Sequence, residues 1–489
     1  MTAPRPSFVL LAATAVVVGG TLLTGVLAGP GPAVAAEAHV GTRPVDDAVL
    51  VCPSVGVDAT TTSAVSAGSP RSAGTLTVAP LSSKASAAPL AAEAPGQTVL
   101  RYSSTRARSG PLLVHATGDR ARGLTANVVT RTTGRSRSVH SVSCTQPTGD
   151  TWLVGGSTVS GRRDVVFLTN VETTPALVDV SVYGMTGVQQ PASSQGLTVR
   201  ARSQTTLALD ALAPGLGATA VHVHVRSGRV ATALLDTAAI GNVPAGVDWV
   251  PPSVAPTRHL LVTGIPVQPD GRHLLVLVAP GGSDAQVRVR LVTPQGTLSP
   301  GPLSSISVPS GRLLTVDLGK SGGFLPPYAV LVDSDQPVEA GVWTQRGDRG
   351  QLTDFAWAGS TAPLLGGSVV LPWATQSSTA GTTLELTAPG GQDLSVRVTP
   401  LGPGGAALLS STLTVGADRT TVLPVALLGQ VVSAVLVEAA SGADLMVGWA
   451  SAEKGLQGPL ITGGSLPQTP LDAQVPPVVA DPAAGYPGH

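Results

Sequence analysis

The chain has 489 residues, enough material for three or four domains of ordinary size. Hydrophobic residues make up 43% and aromatic residues 3%, and 58 Gly and 42 Pro punctuate the chain, which favours many short strands and turns over helices. The formal net charge is zero and 12% of the residues are charged, which argues against a chain that binds nucleic acid over its whole length.

The N-terminus carries an apolar segment typical of export. Residues 8–27 form an uncharged run, and Ala33–Ala35 supplies the small-residue pattern that a signal peptidase accepts. We expect 1–36 to be a signal peptide cleaved after Ala35 or Ala36. The alternative is an uncleaved membrane anchor, because the run is long enough to span a bilayer. Both alternatives place the remaining chain outside the cytoplasm, either secreted or anchored to the cell membrane by the N-terminal segment.

Residues 40–149 are predicted to form a degenerate N-terminal β module. A strand pattern leads into Cys52, and strand patterning resumes at Val99–Tyr102 and in later short runs. Between them, residues 60–94 are rich in Ser, Ala, Thr and Pro, which predicts a long surface loop or a partly disordered segment.

The two cysteines, Cys52 and Cys144, are predicted to form a disulfide. An even number of cysteines in an exported chain favours a bridge over two unrelated buried thiols. The bridge would close a loop of about 90 residues and link the first strand of the module to its last. The chain-entropy model gives about 4–5 kcal/mol of stabilisation for such a loop.

The middle of the chain contains an internal repeat. Residues 166–187 align without a gap to 275–296, an offset of 109 residues, and the Pro-Gly-Gly turn at 280–282 recurs after a further 109 residues. Within one copy, apolar residues alternate between turns, so that about seven strands fit into one repeat. That strand count in about 100 residues is typical of an immunoglobulin-like sandwich. A β-propeller-like arrangement of the same strands, with two blades per repeat, is the alternative.

The sequence therefore predicts an all-β protein of tandem immunoglobulin-like β-sandwich modules. After the N-terminal module, three sandwich repeats and a Pro-rich tail are expected, at residues 150–258, 259–367, 368–466 and 467–489.

The strongest functional indication is a cluster of arginines in the N-terminal module, interrupted by a single acid, Asp119. The planar guanidinium group suits bidentate binding of phosphate, so the cluster could contact an anionic envelope ligand. The alternative is an ordinary solvated surface in a chain that uses arginine in place of lysine. The cluster comprises Arg101, Arg106, Arg108, Arg120, Arg122, Arg131, Arg135 and Arg137.

No metal site or cofactor is predicted. His222 and His224 would lie on one face of a strand, where a metal could use the pair, but a solvated strand face explains them better. Asp333 and Asp335 have calcium-like chemistry but lack the rest of an EF-hand loop, so a β-turn is expected there.

No enzyme motif is found either, since the sequence has no nucleophile elbow, P-loop or dinucleotide fingerprint. A carbohydrate-active enzyme would need two carboxylates about 5–10 Å apart in a cleft. The acids considered for this role, which nothing in the sequence pairs, are Asp248, Glu339, Asp354 and Glu385.

The run 144–158, together with Phe167–Asn170 and Thr174–Ala176, resembles a family of exported actinobacterial proteins of unknown function. The signal segment and Val51–Pro53 are similar as well, and the resemblance covers most of residues 45–465. It implies a location in the envelope of a Gram-positive bacterium. It implies no catalytic residues, because the family has no assigned activity.

Together these observations predict a non-enzymatic, extracytoplasmic cell-envelope protein with a binding or scaffolding role. The expected partner is an anionic wall polymer, lipid head groups or an envelope protein, and not nucleic acid. Membrane contact is expected through residues 8–27 if they are not cleaved. The alternative is a carbohydrate-active or other envelope enzyme with an unrecognised site.

Overall fold

The computed structural model describes residues 41–53, 61–82, 88–92, 97–104, 110–134, 137–267, 271–319, 328–347, 353–372, 381–429, 431–454, 458–465 and 467–475. Most of these residues lie in antiparallel strands, numbered β1–β36 in chain order, or in the turns that join them. The predicted all-β sandwich fold is therefore confirmed. The part of the chain described contains no helix long and apolar enough to cross a membrane. The predicted signal or anchor segment, 8–27, lies outside the described residues.

Helices are few and short in the described ranges. An α-helical turn, α1 (Leu209–Leu212), follows β15. Single turns of 3-10 helix lie at Gly118–Ala121, Ala192–Ser194, Gly301–Leu303, Leu365–Gly367, Pro403–Gly405 and Val425–Leu428.

The N-terminal module is a sandwich of two four-stranded sheets, with orders β2-β7-β4-β5 and β6-β3-β8-β9. The disulfide Cys52–Cys144 is present, with a Cα–Cα distance of 4.3 Å. It joins the end of β2 to the residue after β9, and so links the two sheets. The strands are β2 (Asp47–Cys52), β3 (Thr61–Gly68), β4 (Leu76–Pro80), β5 (Ala91–Ala92), β6 (Val99–Ser104), β7 (Leu112–Thr117), β8 (Thr125–Thr132) and β9 (Ser138–Ser143).

The long loop predicted over residues 60–94 is wrong, because β3 and β4 lie within it. β3 is the second strand of its sheet and buries Ala64, Val65 and Ala67. The hydroxyl groups of Thr61 and Ser63 bond to Thr132 and Thr130 of β8, at 3.2 and 3.0 Å. Small and hydroxyl-bearing residues form a strand here because burial and cross-strand partners outweigh their composition.

Repeat 1 has sheet orders β13-β12-β16-β10-β19, with β14 beside β12, and β15-β11-β17-β18. Its strands are β10 (Asp150–Val154), β11 (Arg162–Asn170), β12 (Ala176–Gly184), β13 (Gly187–Gln189), β14 (Leu197–Val199), β15 (Ser203–Ala208), β16 (Ala220–Ser227), β17 (Ala231–Ile240), β18 (Val243–Val250) and β19 (Pro252–Ser253).

Repeat 2 has the same arrangement, except that one 18-residue strand, β26, takes part in both sheets. Its first half pairs with β20 and β22, and its second half with β21 and β27. The β-turn predicted at Asp333–Asp335 is therefore wrong, because the chain stays extended as it passes between the sheets. The strands are β20 (Thr257–Val262), β21 (Arg272–Ala279), β22 (Ala285–Thr293), β23 (Gly296–Leu298), β24 (Ile306–Val308), β25 (Arg312–Asp317), β26 (Ala329–Arg346) and β27 (Asp354–Thr361).

Repeat 3 has sheet orders β28-β33-β30-β31 and β32-β29-β34-β35, which match those of the N-terminal module strand for strand. All four modules thus share one topology. The strands are β28 (Ser368–Pro372), β29 (Thr382–Ala388), β30 (Leu394–Leu401), β31 (Ser411–Val415), β32 (Arg419–Pro424), β33 (Ala434–Glu438), β34 (Met446–Glu453) and β35 (Leu460–Gly464).

The four modules pack around their last strands. β9 contacts β18, β18 contacts β27, β27 contacts β35, and β35 contacts β9, which closes a cycle. Apolar cores are shared across the junctions. Trp249 of repeat 1 packs into the core of the N-terminal module, and Phe355 and Trp357 of repeat 2 pack into the core of repeat 1.

The segment after β35 also joins this assembly. Thr469 is buried and donates its hydroxyl hydrogen to the carbonyl of Ala121 at 2.5 Å, while the N–H of Leu124 donates to the Thr469 hydroxyl at 2.8 Å. The start of the predicted Pro-rich tail is therefore ordered against the N-terminal module. Because Pro44–Asp472 forms one compact unit, the predicted domain boundaries stay predictions. A second unit comprises 1–43 and 473–489, and the strands that reach into it, β1 (Gly41–Pro44) and β36 (Asp472–Val475), pair with each other.

Candidate functional site

One cross-strand position in the second sheet carries a pair of polar side chains in every module. In three modules the pair is uncharged or contains a histidine: Thr61 with Thr132 at 3.2 Å, His273 with Thr344 at 3.3 Å, and Thr382 with Ser451 at 3.0 Å. In repeat 1 the pair is Asp164 on β11 and Asp236 on β17, which are register partners. Only the acids bring charge to this position, so it distinguishes repeat 1 from the other modules.

The two carboxyl groups of this pair are fully buried. Asp164 Oδ2 accepts the N–H of Ser157 at 2.6 Å. Burial, the charge of Asp236 and a hydrogen bond between the two side chains raise the pKa of Asp164 to about 10. Asp164 is therefore protonated at neutral pH and donates a hydrogen bond to the Asp236 carboxylate.

Asp236 is surrounded by hydrogen-bond donors. Arg162 binds it through two groups, with Nε 3.0 Å from Oδ1 and Nη2 on Oδ2. The indole Nε1 of Trp357, from repeat 2, donates to Oδ2 at 2.9 Å. The Arg162–Asp236 ion pair is thus bidentate, and the Asp236 carboxylate accepts a further hydrogen bond from Trp357. A buried ion pair is stable when such additional hydrogen bonds satisfy its remaining polar atoms.

A cavity of about 220 Å³ opens beside this ion pair, at the junction of repeats 1 and 2. Its lining is mainly apolar, and Arg162 is its one ionisable residue. The cavity is lined by Gly156, Ser157, Arg162, Met185, Gly217, Ala218, Leu274, Val276, Thr315, Trp343 and Trp357.

Arg162 and Trp343 lie close together in the cavity wall. The guanidinium carbon of Arg162 lies 4.7 Å from the ring centroid of Phe355 and 5.8 Å from that of Trp343, which is cation–π distance. The Nε1 atom of Trp343 is buried and has no hydrogen-bond partner in the described structure. A buried indole N–H normally has one, so this donor is left unsatisfied.

The acid pair itself does not reach the cavity. Neither Asp164 nor Asp236 is among the residues that line the cavity. Their partners Arg162 and Trp357 do line it. A general acid or a nucleophile must come within hydrogen-bond distance of the reacting group. The arrangement therefore provides a shaped, polar-edged binding cavity with the acids behind its wall.

The acids considered from the sequence lie elsewhere, in contacts between modules. Asp248 Oδ2 accepts the N–H of Trp357 at 2.8 Å, and its Oδ1 accepts the Thr462 hydroxyl at 3.3 Å. Asp354 Oδ2 accepts the N–H of Ile461 at 2.7 Å. Burial raises the pKa of Asp248 well above its usual value and that of Asp354 to about 7.

Of the two glutamates, Glu385 makes a contact between modules and Glu339 makes one within repeat 2. Glu385 of repeat 3 accepts the N–H of Gly264, in repeat 2, at 2.8 Å and the Thr263 hydroxyl at 3.3 Å. Glu339 accepts the Ser360 hydroxyl at 3.1 Å. Burial raises the pKa of Glu385 to about 7 and that of Glu339 to about 8.

The structure distributes the described arginines of the predicted cluster over different environments. Arg120 is buried and donates to the carbonyls of Ser72 and Gln97. Arg122 pairs with Asp119, and Arg131 pairs with Glu453 of repeat 3.

Arg101 lies half-buried near Arg131, and both its burial and the charge of Arg131 lower its pKa. Arg137 is half-buried and acts electrostatically on Asp354. Arg106, Arg108 and Arg135 lie outside the described residues. Binding of an anionic ligand by this cluster stays a prediction.

The two histidines considered as metal ligands share one acid. His222 Nε2 lies 2.8 Å from Asp150 Oδ2, and His224 Nδ1 lies 3.5 Å from the same atom. His222 also stacks on Trp152, with ring centroids 4.2 Å apart. Within the described ranges, no group of three or more His, Cys, Asp or Glu side chains is placed to hold a metal ion.

Asp333 and Asp335 are also used within repeat 2. Asp333 binds His259 at 2.9 Å and Arg290 at 2.6 Å, and Asp335 accepts the N–H of Gln286 at 2.8 Å.

The sequence analysis did not find Arg162, Asp164 or Asp236. One signal was present, because Asp236 is an acid within the mainly apolar run 233–239, and Asp164 directly precedes the apolar run 165–168. The repeat alignment places Asp164 opposite His273 and Thr382, so the position is polar in every repeat. The contribution of Trp343 and Trp357 could not be inferred, because it depends on how repeat 2 packs on repeat 1.

Comparison with known proteins gives a family without an assigned activity. The family model described as a family of unknown function, DUF5719, matches residues 98–426. No curated protein matches the chain.

Among solved structures, the chain is similar to Thermotoga maritima 1070, with 13% sequence identity. The match covers 22% of this chain and 96% of that chain, with a TM-score of 0.20. A crystal structure of a tetra-tandem repeat in the extending region of a large adhesion protein is 13% identical. The match covers 86% of this chain and 99% of that chain, with a TM-score of 0.10. Neither likeness is close enough to carry an argument about fold or role. The family match spans more than half of the chain, and the chain therefore belongs to the DUF5719 family of unknown function.

Proposed function

We propose that this protein is a non-enzymatic, extracytoplasmic component of a cell envelope, in which four fused β-sandwich modules form a rigid scaffold that binds an envelope polymer. The observation that carries the proposal is the use of the buried acids. Asp248, Asp354 and Glu385 each accept a backbone N–H from a neighbouring module. Carboxyl groups that make such hydrogen bonds hold the modules together, and because they are buried they are not accessible to solvent or substrate.

The extracytoplasmic location is supported by the disulfide. Cys52 and Cys144 are bonded and fully buried. Disulfides persist in oxidising compartments and are rare in the cytosol. The signal peptide or membrane anchor expected from residues 8–27 would provide the route of export.

The carbohydrate-active enzyme remains the second candidate, because one observation favours it. Asp164, whose pKa is raised by burial and by Asp236, lies with Asp236 near a cavity lined by tryptophan, and an acid with a raised pKa beside a second acid is typical of hydrolytic sites. Against it, Asp236 is already bound by Arg162 and Trp357, and both acids lie behind the cavity wall. The binding role is therefore the better supported of the two.

Retention on envelope material tests the proposal. The purified chain is applied to wall polymer, to anionic liposomes and to neutral liposomes, at low and high salt. Retention on wall polymer supports the proposal, and retention that falls with salt assigns the contact to charged groups. The variant with Arg131, Arg135 and Arg137 replaced by Ser tests the arginine cluster, and replacement of Arg226 and Arg229 by Ser is the matched control in repeat 1.

No retention on any of these materials would contradict an envelope-binding role. Turnover of wall polymer that is lost in Asp236→Asn would favour the enzyme instead.

A further inference from the structure

We infer that the cavity at the junction of repeats 1 and 2 binds a single neutral sugar ring of an envelope glycan, seated against Trp343 and Trp357 and held by hydrogen bonds from the cavity wall. The inference rests on the proposed function, and it specifies which part of a polymer the scaffold recognises.

The size of the cavity selects one ring. Its volume of about 220 Å³ exceeds the roughly 150 Å³ cavity that accommodates benzene in an engineered core. It is smaller than the roughly 300–1,000 Å³ of pockets that enclose drug-sized ligands. One six-membered ring with its substituents therefore fits, and the remainder of a chain would extend outward past Met185, which is half-exposed at the cavity.

The charge of the cavity selects a neutral ligand. Arg162 is its one ionisable lining residue, and its charge is balanced by the bidentate pair with Asp236. An anion entering the cavity would have to compete with Asp236 for a guanidinium that is 12% exposed, and a cation would meet the positive face of Arg162. A neutral group avoids both costs.

The polar edge of the cavity selects a ligand that carries oxygen. The indole N–H of Trp343 is buried and unpaired, so a ligand oxygen would satisfy it. The Ser157 hydroxyl donates its hydrogen to the Leu216 carbonyl at 3.0 Å, so towards a ligand it acts as an acceptor. The cavity thus presents at least one donor and one acceptor beside aromatic faces, and a pyranose supplies hydroxyl groups at its edge and C–H groups on its face.

Direct titration tests the inference. Tryptophan fluorescence of the whole chain is followed during addition of neutral hexoses and N-acetylhexosamines. Cyclohexanol serves as a ring of similar size with a single hydroxyl group. A saturable change with at least one saccharide, and a much weaker one with cyclohexanol, is expected. Saturation with cyclohexanol alone, or with no compound, would overturn the inference.

A cavity-filling variant shows whether the response comes from this site. A Cβ at Gly217 would meet no atom within 4 Å, so Gly217→Leu places a side chain at the cavity without a backbone clash. Gly281→Leu is the matched control, since its Cβ is equally free and the residue lies in an exposed turn of repeat 2. Gly217→Leu is expected to abolish the saccharide response and Gly281→Leu to retain it. Equal binding by both variants would overturn the inference.

The donor is tested by Trp343→Phe, which keeps a ring in the wall and removes the N–H. Saccharide binding is expected to weaken about tenfold, the effect of losing one hydrogen bond in a buried site. Unchanged affinity would exclude Trp343 Nε1 as a contact and contradict the proposed mode of binding.

The retention assay separates this inference from the proposed function. If the chain and Gly217→Leu are retained equally on wall polymer while neither responds to saccharides, the cavity inference fails and the proposed function stands. If the chain binds saccharides but is not retained on any envelope material, the proposed function fails and the cavity inference stands.

Discussion

The carboxyl group of Asp248 accepts the backbone N–H of Trp357 at 2.8 Å, so that a side chain of repeat 1 bonds to the main chain of repeat 2. The next junction repeats this relationship, with Asp354 of repeat 2 bonded to the N–H of Ile461 in repeat 3 at 2.7 Å. At the following junction the hydroxyl of Thr462 accepts the N–H of Ser141 in the N-terminal module at 3.2 Å. Three successive junctions are therefore joined by one kind of contact, made between the last strands of the modules.

Contacts of this kind satisfy backbone groups on strands that have no further strand beside them. The bonded N–H groups lie on β27, β35 and β9. β35 and β9 are each the last strand of their sheet, and β20 pairs with β27 only at Ser360 and Thr361, so Trp357 has no strand on that side. An edge strand presents unpaired N–H groups. A buried N–H without a partner costs free energy comparable to a lost hydrogen bond. The acids thus allow the edges of the sheets to be buried against one another.

Replacement of Asp248 tests the importance of this contact. Asp248→Ala leaves the Trp357 N–H buried without its acceptor and is expected to lower the free energy of unfolding by about 1–3 kcal/mol. Asp248→Asn is expected to cost less, because burial raises the pKa of Asp248 well above its usual value and an amide resembles the neutral acid. Urea unfolding of the three proteins provides the measurement. Equal destabilisation by Ala and Asn would contradict this role.

The stability of the protein is expected to fall as the pH rises from about 4.5 to about 8. Burial raises the pKa of Glu385 to about 7 and that of Glu339 to about 8, from 4.5 in each case. Between these values the folded chain binds more protons than the unfolded chain, so raising the pH favours unfolding. The stabilisation is fully present below about pH 4.5 and is lost as the pH passes the folded pKa. For Glu385 the difference corresponds to about 3 kcal/mol.

Thermal unfolding at pH 5, 6, 7 and 8 measures this dependence. Glu385→Gln removes one titrating group and is expected to flatten the profile between pH 5 and 8. Asp284→Asn, at an exposed position between β21 and β22 of repeat 2, is the control and should leave the profile unchanged. A midpoint that rises between pH 7 and 8 would contradict the raised pKa values of the buried glutamates.

The strands and the repeats could be predicted from the sequence because alternation and turn residues are local signals. The Pro-Gly-Gly turn at 280–282 and the apolar alternation that follows it mark β21 and β22 in any structural context. The same method failed for β3, whose Ser, Thr and Ala residues resemble a loop until β8 is placed beside them. It also failed at Asp333–Asp335, where a polar stretch continues as a strand because it spans two sheets.

The packing of the modules could not be predicted from residue types. The partner of Asp248 is a backbone N–H, a group that every residue except proline carries. The cavity could not be predicted for the same reason. Arg162 and Trp343 lie 181 positions apart in the chain, and only the packing of the modules brings them within cation–π distance. The disulfide was predictable because a chain with two cysteines allows a single pairing within it.

The disulfide is expected to protect the N-terminal module in particular. In denaturant without reductant, thiol titration of the chain should detect no free cysteine. Replacement of both Cys52 and Cys144 by Ala is expected to destabilise this module by about 4–5 kcal/mol on the chain-entropy model. Reductant should lower the unfolding midpoint of the original chain and leave that of the double variant unchanged. Two titratable thiols in the unreduced chain would disprove the bridge.

The Arg162–Asp236 pair gives a sharper test, because a buried pair responds differently to loss of one partner and loss of both. Arg162→Met leaves the Asp236 carboxylate buried without its cation and is expected to cost about 3–5 kcal/mol. Asp236→Asn leaves the guanidinium uncompensated and should cost a similar amount. The double variant is expected to recover much of the loss, because neither charge is then buried alone. A double-mutant cycle from urea unfolding measures the coupling between them. If the two losses simply add in the double variant, the pair is not coupled, and the charge balance assigned to the cavity would be incorrect.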